Sequence, residues 1–310
     1  MKKDRTKMDC ITRRKFLMES SAAVALTAAL PEILQAETPR RALGIQLYTV
    51  AADLAADLPG TLAALRKIGY KVVESAGFAN LSAKDFRKAL DAAGLRCPSS
   101  HLHFTTADPA PLFEDAHTIG AHYAVSSMLI APPTGASGNG HGVPLASLTL
   151  DDFKRTADLA NQIGAKAKQA GLQYAYHNHN FEFRDQGNGQ IGYDLLLKET
   201  DPELVKFELD CGWMVAAGFS PVEYFQKNPN RYRLIHVKDF LLTAKPTTDL
   251  QGPDRPKGTE LGRGHIDYKP IFAAASQAGV EYFFSEQEPP VAGMTELEAA
   301  KVNYNYMNAL

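Results

Sequence analysis

Four residues of this chain are of types that together hold a divalent metal ion: His177, Asp210, His236 and Glu286. Imidazole nitrogen and carboxylate oxygen both ligate Mn, Co, Zn, Fe or Ni, and two histidines with two carboxylates do not select among them. Each of the four lies near the end of its own short apolar run. If those runs are neighbouring strands about 5 Å apart, four inward side chains can meet at one ion with bonds of about 2.1 Å. Taken singly, a histidine at such a place is more often hydrogen-bonded than metal-bound. Asp210 or Glu286 alone could face the N-terminus of a following helix. The joint placement is what points to a metal.

Other polar residues gather at the same strand ends. Glu74 ends the second run, and His101 and His103 end the third. His179 and Glu182 follow His177, Trp213 follows Asp210, Lys238 follows His236, and Glu288 follows Glu286. Buried charges are costly without partners, so this convergence argues for a site rather than for packing. Glu286, Glu182 and His179 are the candidate bases, since a positioned carboxylate or imidazole suits proton abstraction. Glu74, His101, Trp213 and Lys238 are candidate substrate contacts. Trp213, the only tryptophan, either packs or offers an apolar platform to the C–H face of a sugar. Lys238 either pairs with a carboxylate or binds a substrate oxygen. The chemistry this set suits is proton transfer beside a carbonyl, with the ion as a Lewis acid stabilising the enediolate. Returning the proton to the other face gives an epimer, and returning it to the next carbon an isomer. Losing a β-substituent instead makes the enzyme a lyase or dehydratase.

The elements that must position these residues alternate regularly. Short strands are expected over Leu43–Thr49, Tyr70–Ser75, Arg96–His101, Tyr123–Leu129, Leu172–Asn178, Leu204–Asp210, Arg233–Lys238 and Tyr282–Glu286. Most are rich in β-branched or aromatic residues, as buried strands are. Helical stretches over Leu58–Ile68, Ala83–Ala93, Leu150–Ala170 and Tyr268–Ala278 each run into a glycine, a favoured C-cap. Strand–helix alternation predicts a parallel sheet covered by helices. Eight such units favour a closed (β/α)8 TIM barrel, which needs about 250 residues. The open doubly wound alternative usually carries a glycine-rich phosphate loop after its first strand. Here Val50-Ala51-Ala52 follows instead. Two long loops, Ala131–Val143 with His141 and Leu241–Arg263, follow the fourth and seventh strands, on the face where barrel active sites lie.

The chain has 310 residues and a formal net charge of −2, which gives no sign of nucleic acid or of an anionic membrane surface. Residues 1–36 read as a twin-arginine-type signal. Arg13-Arg14 precedes a weakly apolar run from Ser21 to Leu30 and a small residue at Ala36. That run is shorter than the roughly 20 residues of a membrane span. The expectation is export by the twin-arginine route to the periplasm or beyond, with no stable membrane anchor afterwards and one domain over 37–310. Cys10 lies in the signal; Cys97 and Cys211 are no disulfide framework. The sequence does not set the oligomeric state.

With these residues in place, the chain resembles the sugar phosphate isomerase/epimerase group of xylose isomerase-like TIM barrels, over about residues 43 to 310. The resemblance rests on Gly69-Tyr70-Lys71-Val72-Val73-Glu74, Ser99-Ser100-His101-Leu102 and Tyr176-His177-Asn178-His179-Asn180-Phe181-Glu182-Phe183. It continues in Leu209-Asp210-Cys211-Gly212-Trp213, His236-Val237-Lys238-Asp239, Gly262-Arg263-Gly264-His265-Ile266-Asp267 and Ser285-Glu286-Gln287-Glu288. It implies one metal held from the fifth to eighth strands, at the positions of His177, Asp210, His236 and Glu286. Many members have Glu where this chain has His177. A ligated imidazole is a poor base, so the two-glutamate route to epimerisation is in question, with Glu182 a possible second carboxylate. The leading expectation is a metal-dependent isomerase or epimerase acting on a non-phosphorylated sugar or keto-sugar. The alternatives are a keto-sugar or glycoside lyase on the same site and a non-catalytic sugar-binding protein. Metal-assisted hydrolysis, as in related DNA-repair endonucleases, needs a basic face that this charge balance does not suggest.

Overall fold

The structure, a computed structural model, describes residues 42–126, 128–133, 144–288, 291 and 293–310. The expected signal, Cys10 and His141 lie outside the described residues. Eight parallel strands close into a barrel: β1 (Ala42–Gln46), β2 (Val72–Ala76), β3 (Arg96–Leu102), β4 (Tyr123–Ser126), β5 (Gln173–His177), β6 (Val205–Asp210), β7 (Tyr232–Val237) and β10 (Tyr282–Ser285). The remaining pair, β8 (Asp239–Phe240) and β9 (Gly258–Thr259), forms a small antiparallel ribbon. The barrel closes where β1 pairs with β10, in the register Ala42↔Tyr282 to Ile45↔Ser285. The expected TIM barrel is the fold.

Each strand has two faces, because successive side chains alternate. The outward residues, such as Ile45, Val73, Tyr174, Phe207, Leu209, Ile235 and Phe283, join the large core under the helices. The inward residues form a separate, smaller cluster of Val72, Tyr123, Val125, Ala175, Leu234 and Phe284. Gly44 belongs to this floor by necessity: a Cβ there would lie 2.4 Å from Phe284 Cδ1 and 2.9 Å from Val72 Cγ2. One step of two residues further along the same strands, the inward side chains are Glu74, His177, His236 and Glu286 in place of Val72, Ala175, Leu234 and Phe284. The barrel interior is thus apolar below and ionisable above. That change coincides with the carboxyl ends of the strands, the catalytic end of this fold.

The helices follow the expected signals closely. Ala83–Ala93 starts at Ser82, whose side chain accepts from Asp85 N, and stops at Gly94 in the left-handed region at φ 68°. The first strand is shorter than expected. Gln46 Oε1 accepts from Tyr48 N, which turns the chain into a short 3-10 segment, Leu47–Val50.

The loop after β7 is anchored by one carboxylate. Buried Asp239 accepts from the amides of Phe240 (2.9 Å), Gly262 (3.0 Å), Gly264 (3.1 Å) and Ile266 (3.2 Å). Asn180 ties the same loop down from the β5 end, donating to Thr247 O and Asp249 O. Replacing Asp239 by alanine leaves four amides without their acceptor. It is expected to cost about 3 kcal/mol, which lowers the unfolding midpoint by about 6–12 °C. Calorimetry of the two proteins checks this, and an unchanged midpoint would remove Asp239 as the anchor.

Candidate active site at the carboxyl ends of the strands

His177 ends β5, Asp210 ends β6, His236 lies one residue before the end of β7, and Glu286 follows β10. One ligand atom from each lies within 4.8 Å of the other three. Hydrogen bonds between strand ends hold them there. Asn178 Oδ1 accepts from Asp210 N at 3.0 Å, joining β5 to β6. Asp210 also caps the helix that follows it, with Oδ1 accepting from Trp213 N at 2.8 Å, which leaves Oδ2 for the pocket. Gly212 lets the chain pass Lys238: a Cβ there would lie 2.6 Å from Lys238 O.

Buried polar atoms at this end of the barrel are poorly satisfied: Glu208 Oε1, also inward on β6, has no hydrogen bond, His177 Nδ1 has only Glu208 Oε2 at 3.1 Å, and Asp210 Oδ2 has only the Lys238 ammonium at 3.2 Å. Such atoms are rare in folded proteins. All three belong to groups that bind metals, and burial, with His236 beside it, holds the His177 pKa well below its usual value. His177 is therefore neutral, as a ligand must be. The residues fit a divalent ion.

Beside this set stands Lys238, buried, with Nζ 2.9 Å from Glu286 Oε2, 3.2 Å from Asp210 Oδ2 and 3.2 Å from Glu288 Oε1. Burial alone would favour the neutral amine, but Asp210 and Glu286 raise its pKa, so the ammonium stays charged. Its charge lies 4.8 Å from the Trp213 ring centroid, a cation–π contact. Tyr268 brackets its backbone, with the hydroxyl donating to Lys238 O at 2.5 Å and accepting from Lys238 N at 2.9 Å. Burial would raise Glu286, yet Lys238 and His236 hold it well below the usual carboxylate range. Arg255 reaches back from the loop after β7 to pair with Glu288. Trp213 is fully buried beneath these charges.

The other expected site residues fall into two places. His179 adjoins the set, its ring centroid 5.1 Å from His177 and 6.1 Å from Trp213. Burial first, and then Lys238, push His179 down to about 3, so the ring is uncharged at neutral pH, and its Nδ1 is buried without a hydrogen bond. Glu74 and His101 lie against Glu208. His101 Nε2 is 2.7 Å from Glu208 Oε2 and 3.2 Å from Glu74 Oε2. Burial and the Glu74 charge raise the Glu208 carboxyl. One ligand atom from each of His101, His177, Glu208 and His236 also lies within 4.8 Å of the others. Glu208 is absent from the sequence expectations. The signal was available, since a residue two before an inward Asp210 must also face inward.

Glu182 is turned elsewhere. Its carboxylate accepts from the Tyr176 hydroxyl at 3.1 Å and from His179 N at 3.0 and 3.2 Å, closing the turn after β5. Burial pushes this carboxyl up to about 8 from 4.5. The folded protein keeps the proton to about pH 8, whereas the unfolded chain releases it near 4.5. That contribution to stability is complete below the unfolded value and is lost as pH rises through the folded one. Relative to Glu182→Gln, the wild-type protein is expected to lose on the order of 3 kcal/mol between pH 5 and pH 8. Denaturant curves of both proteins across that range check it; a constant difference would refute it. Cys97 and Cys211 are buried and unpaired, and burial raises both thiols, Cys97 to about 12.

Residues 62–301 match the family model described as xylose isomerase-like TIM barrel. An inosose dehydratase of Geobacillus thermodenitrificans is 29% identical over 236 residues, which are 69% of this chain and 76% of that protein. The crystal structure of a sugar phosphate isomerase/epimerase from Parabacteroides distasonis superposes with a TM-score of 0.68 at 26% identity, covering 87% of this chain and 94% of that one. The IolI protein, crystallised with a zinc atom, superposes with a TM-score of 0.62 at 16% identity, covering 86% and 96%, a likeness of fold alone.

Proposed function

As the chain belongs to the xylose isomerase-like TIM-barrel family, we propose that it is a divalent-metal-dependent lyase of polyhydroxylated ketones. Its substrates would be non-phosphorylated keto-sugars, keto-glycosides or inosose-like rings. It would remove a proton beside the carbonyl and expel the oxygen substituent on the next carbon. A bound ion would supply Lewis-acid polarisation of the substrate oxygens. His177, Asp210, His236 and Glu286 would hold it.

The observation that carries this reading is geometric: the Lys238 ammonium, 2.9 Å from Glu286 Oε2, and the His179 imidazole, its ring centroid 5.1 Å from that of His177, both adjoin the candidate ligand set. Elimination needs one acid and one base. His179 takes the proton from carbon, the C–H electrons form the new C=C bond, and the C–O bond breaks. Lys238 gives its proton to the departing oxygen, which leaves as water or an alcohol. Both residues then return to their starting states by exchange with solvent. Glu74 and His101, expected as substrate contacts, face Glu208 and His236. Trp213 serves as the floor of Lys238. The similarity to a dehydratase supports the lyase. Export, which would place the enzyme among free rather than phosphorylated sugars, is part of the same proposal.

Epimerisation is the second reading, favoured by the similarity to an isomerase/epimerase. It needs a proton acceptor on each face of the substrate. The fifth strand offers no carboxylate, and Glu182 is engaged with Tyr176 and His179. The test is turnover of keto-sugars, keto-glycosides and inososes in deuterated water by metal-loaded protein. The lyase gives an ultraviolet-absorbing enone or its enol, and free water or alcohol. Deuterium uptake into a stereoisomer without loss of a substituent would make it an epimerase. No turnover of any of these with any of Mn, Co, Zn, Fe or Ni would sink both.

A further inference from the structure

His236 presents its two ring nitrogens to opposite sides. Nδ1 lies 2.8 Å from Glu286 Oε2 and 4.0 Å from Asp210 Oδ2, on the side of the candidate ion. Nε2 lies 2.6 Å from Glu74 Oε2, on the other side. Glu74 comes from β2, far from β7 in the closed barrel order. It is fully buried and clamped by neighbours on both flanks. Gln46 of β1 donates to Oε2 at 3.0 Å, and Ser99 of β3 donates to Oε1 at 2.5 Å. His101 Nε2 lies 3.2 Å from the same Oε2. Its ring stacks on His236 with 5° between planes and a centroid separation of 5.3 Å, and its Nε2 joins Glu208 Oε2.

A neutral imidazole carries one N–H, and which nitrogen bears it is set by the hydrogen bond the other side makes. Carboxylate oxygens meet both nitrogens, Glu74 at Nε2 and Glu286 at Nδ1; an ion bound at Nδ1 would displace the proton there, and the fixed Glu74 carboxylate would keep the other on Nε2. We infer that Glu74 is a positioning residue for the metal: held by Gln46 and Ser99 and covered by the His101–Glu208 pair, it fixes the ring plane and the tautomer of His236. The inference rests on the metal reading of the site. It gives Glu74 a role that is neither ligand nor substrate contact, and it explains why an acid is buried on β2 at all. Partners of this kind typically contribute 10- to 100-fold in metal affinity.

The experiment measures the affinity of the purified protein for Co and Zn by competition with a coloured chelator. It compares wild type with Glu74→Ala, Glu74→Gln, Ser99→Ala and Glu208→Gln. Glu74→Ala is expected to weaken binding about 10- to 100-fold. Glu74→Gln can still accept from Nε2–H and should recover part of that loss. Ser99→Ala, which removes a single clamp, should weaken binding several-fold in a protein whose metal-free unfolding midpoint is nearly that of the wild type. In the cobalt-loaded wild type, the His236 Nε2 proton should appear as a hyperfine-shifted resonance that exchanges slowly with solvent. In Glu74→Ala it should be lost or exchange fast. Folded Glu74 and Ser99 variants with wild-type affinity and an unchanged resonance would overturn the inference while leaving the metal site standing. Two ions per wild-type chain, one of them lost in Glu208→Gln, would also overturn it, because the cluster around Glu208 would then ligate rather than orient. A wild-type chain that takes up no ion would remove the functional reading and the inference with it.

Discussion

Replacing His236 by alanine is expected to leave a protein that holds less than a tenth of the wild-type metal and turns over its ketone substrate at least about 10³-fold more slowly. The size follows from what is lost. In the proposed site a ligand disappears from a set of four, and the Lewis-acid contribution it would secure is several kcal/mol of transition-state stabilisation. Two further signatures separate this from general damage. The wild-type protein should unfold at a higher temperature when Co, Zn, Mn, Fe or Ni is supplied, by about 2.7 kcal/mol at a hundredfold excess over the dissociation constant. The variant should show almost none of that increment. Without metal, the variant should be less stable than the wild type, because Glu74 loses the partner 2.6 Å away and remains buried. Elemental analysis of both proteins, with unfolding curves with and without metal, decides the matter. Equal metal in the two proteins would exclude His236 as a ligand.

Much of this arrangement could be read along the chain, because in a parallel barrel function is written at one end of each strand. The runs ending near Glu74, His101, His177, Asp210, His236 and Glu286 all became strands or strand ends, and glycine caps such as Gly94 and Gly279 mark where the helices turn back. What remained hidden depends on the barrel closing. Glu74 and His236 are 162 residues apart, and no local pattern places them 2.6 Å from each other. Glu208 sits mid-strand, so a search confined to strand ends passes over it, although alternation with Asp210 points inward. Glu182 shows the converse limit. Its type and proximity to His179 suggested a base, but the turn after β5 uses its carboxylate for its own backbone. In the sequence the loop after β7 reads only as a long stretch on the active-site face. Only the fold shows Asp239 gathering amides from Phe240 to Ile266 and Arg255 returning to Glu288.

Substituting Lys238 by methionine is expected to slow elimination of a hydroxyl or alkoxyl group by about 10²- to 10⁴-fold, the usual contribution of a positioned acid, without loss of metal. The structure separates the two effects. Lys238 Nζ contacts Asp210, Glu286 and Glu288, but it donates no atom to the candidate ligand set. Removing its charge takes away a competitor for the Asp210 and Glu286 oxygens, so metal affinity should hold or rise. Methionine keeps the unbranched shape over Trp213, and Tyr268 still holds the backbone at residue 238. The decisive comparison varies the leaving group. A phenoxide with a low conjugate-acid pKa departs without a proton, so a keto-glycoside carrying it should lose little rate in the variant. The corresponding alkyl keto-glycoside should lose the full factor. Equal losses for both would mean that Lys238 binds the substrate rather than protonating what leaves. Proton delivery would then have to come from solvent or from the Glu286–Glu288 side of the pocket.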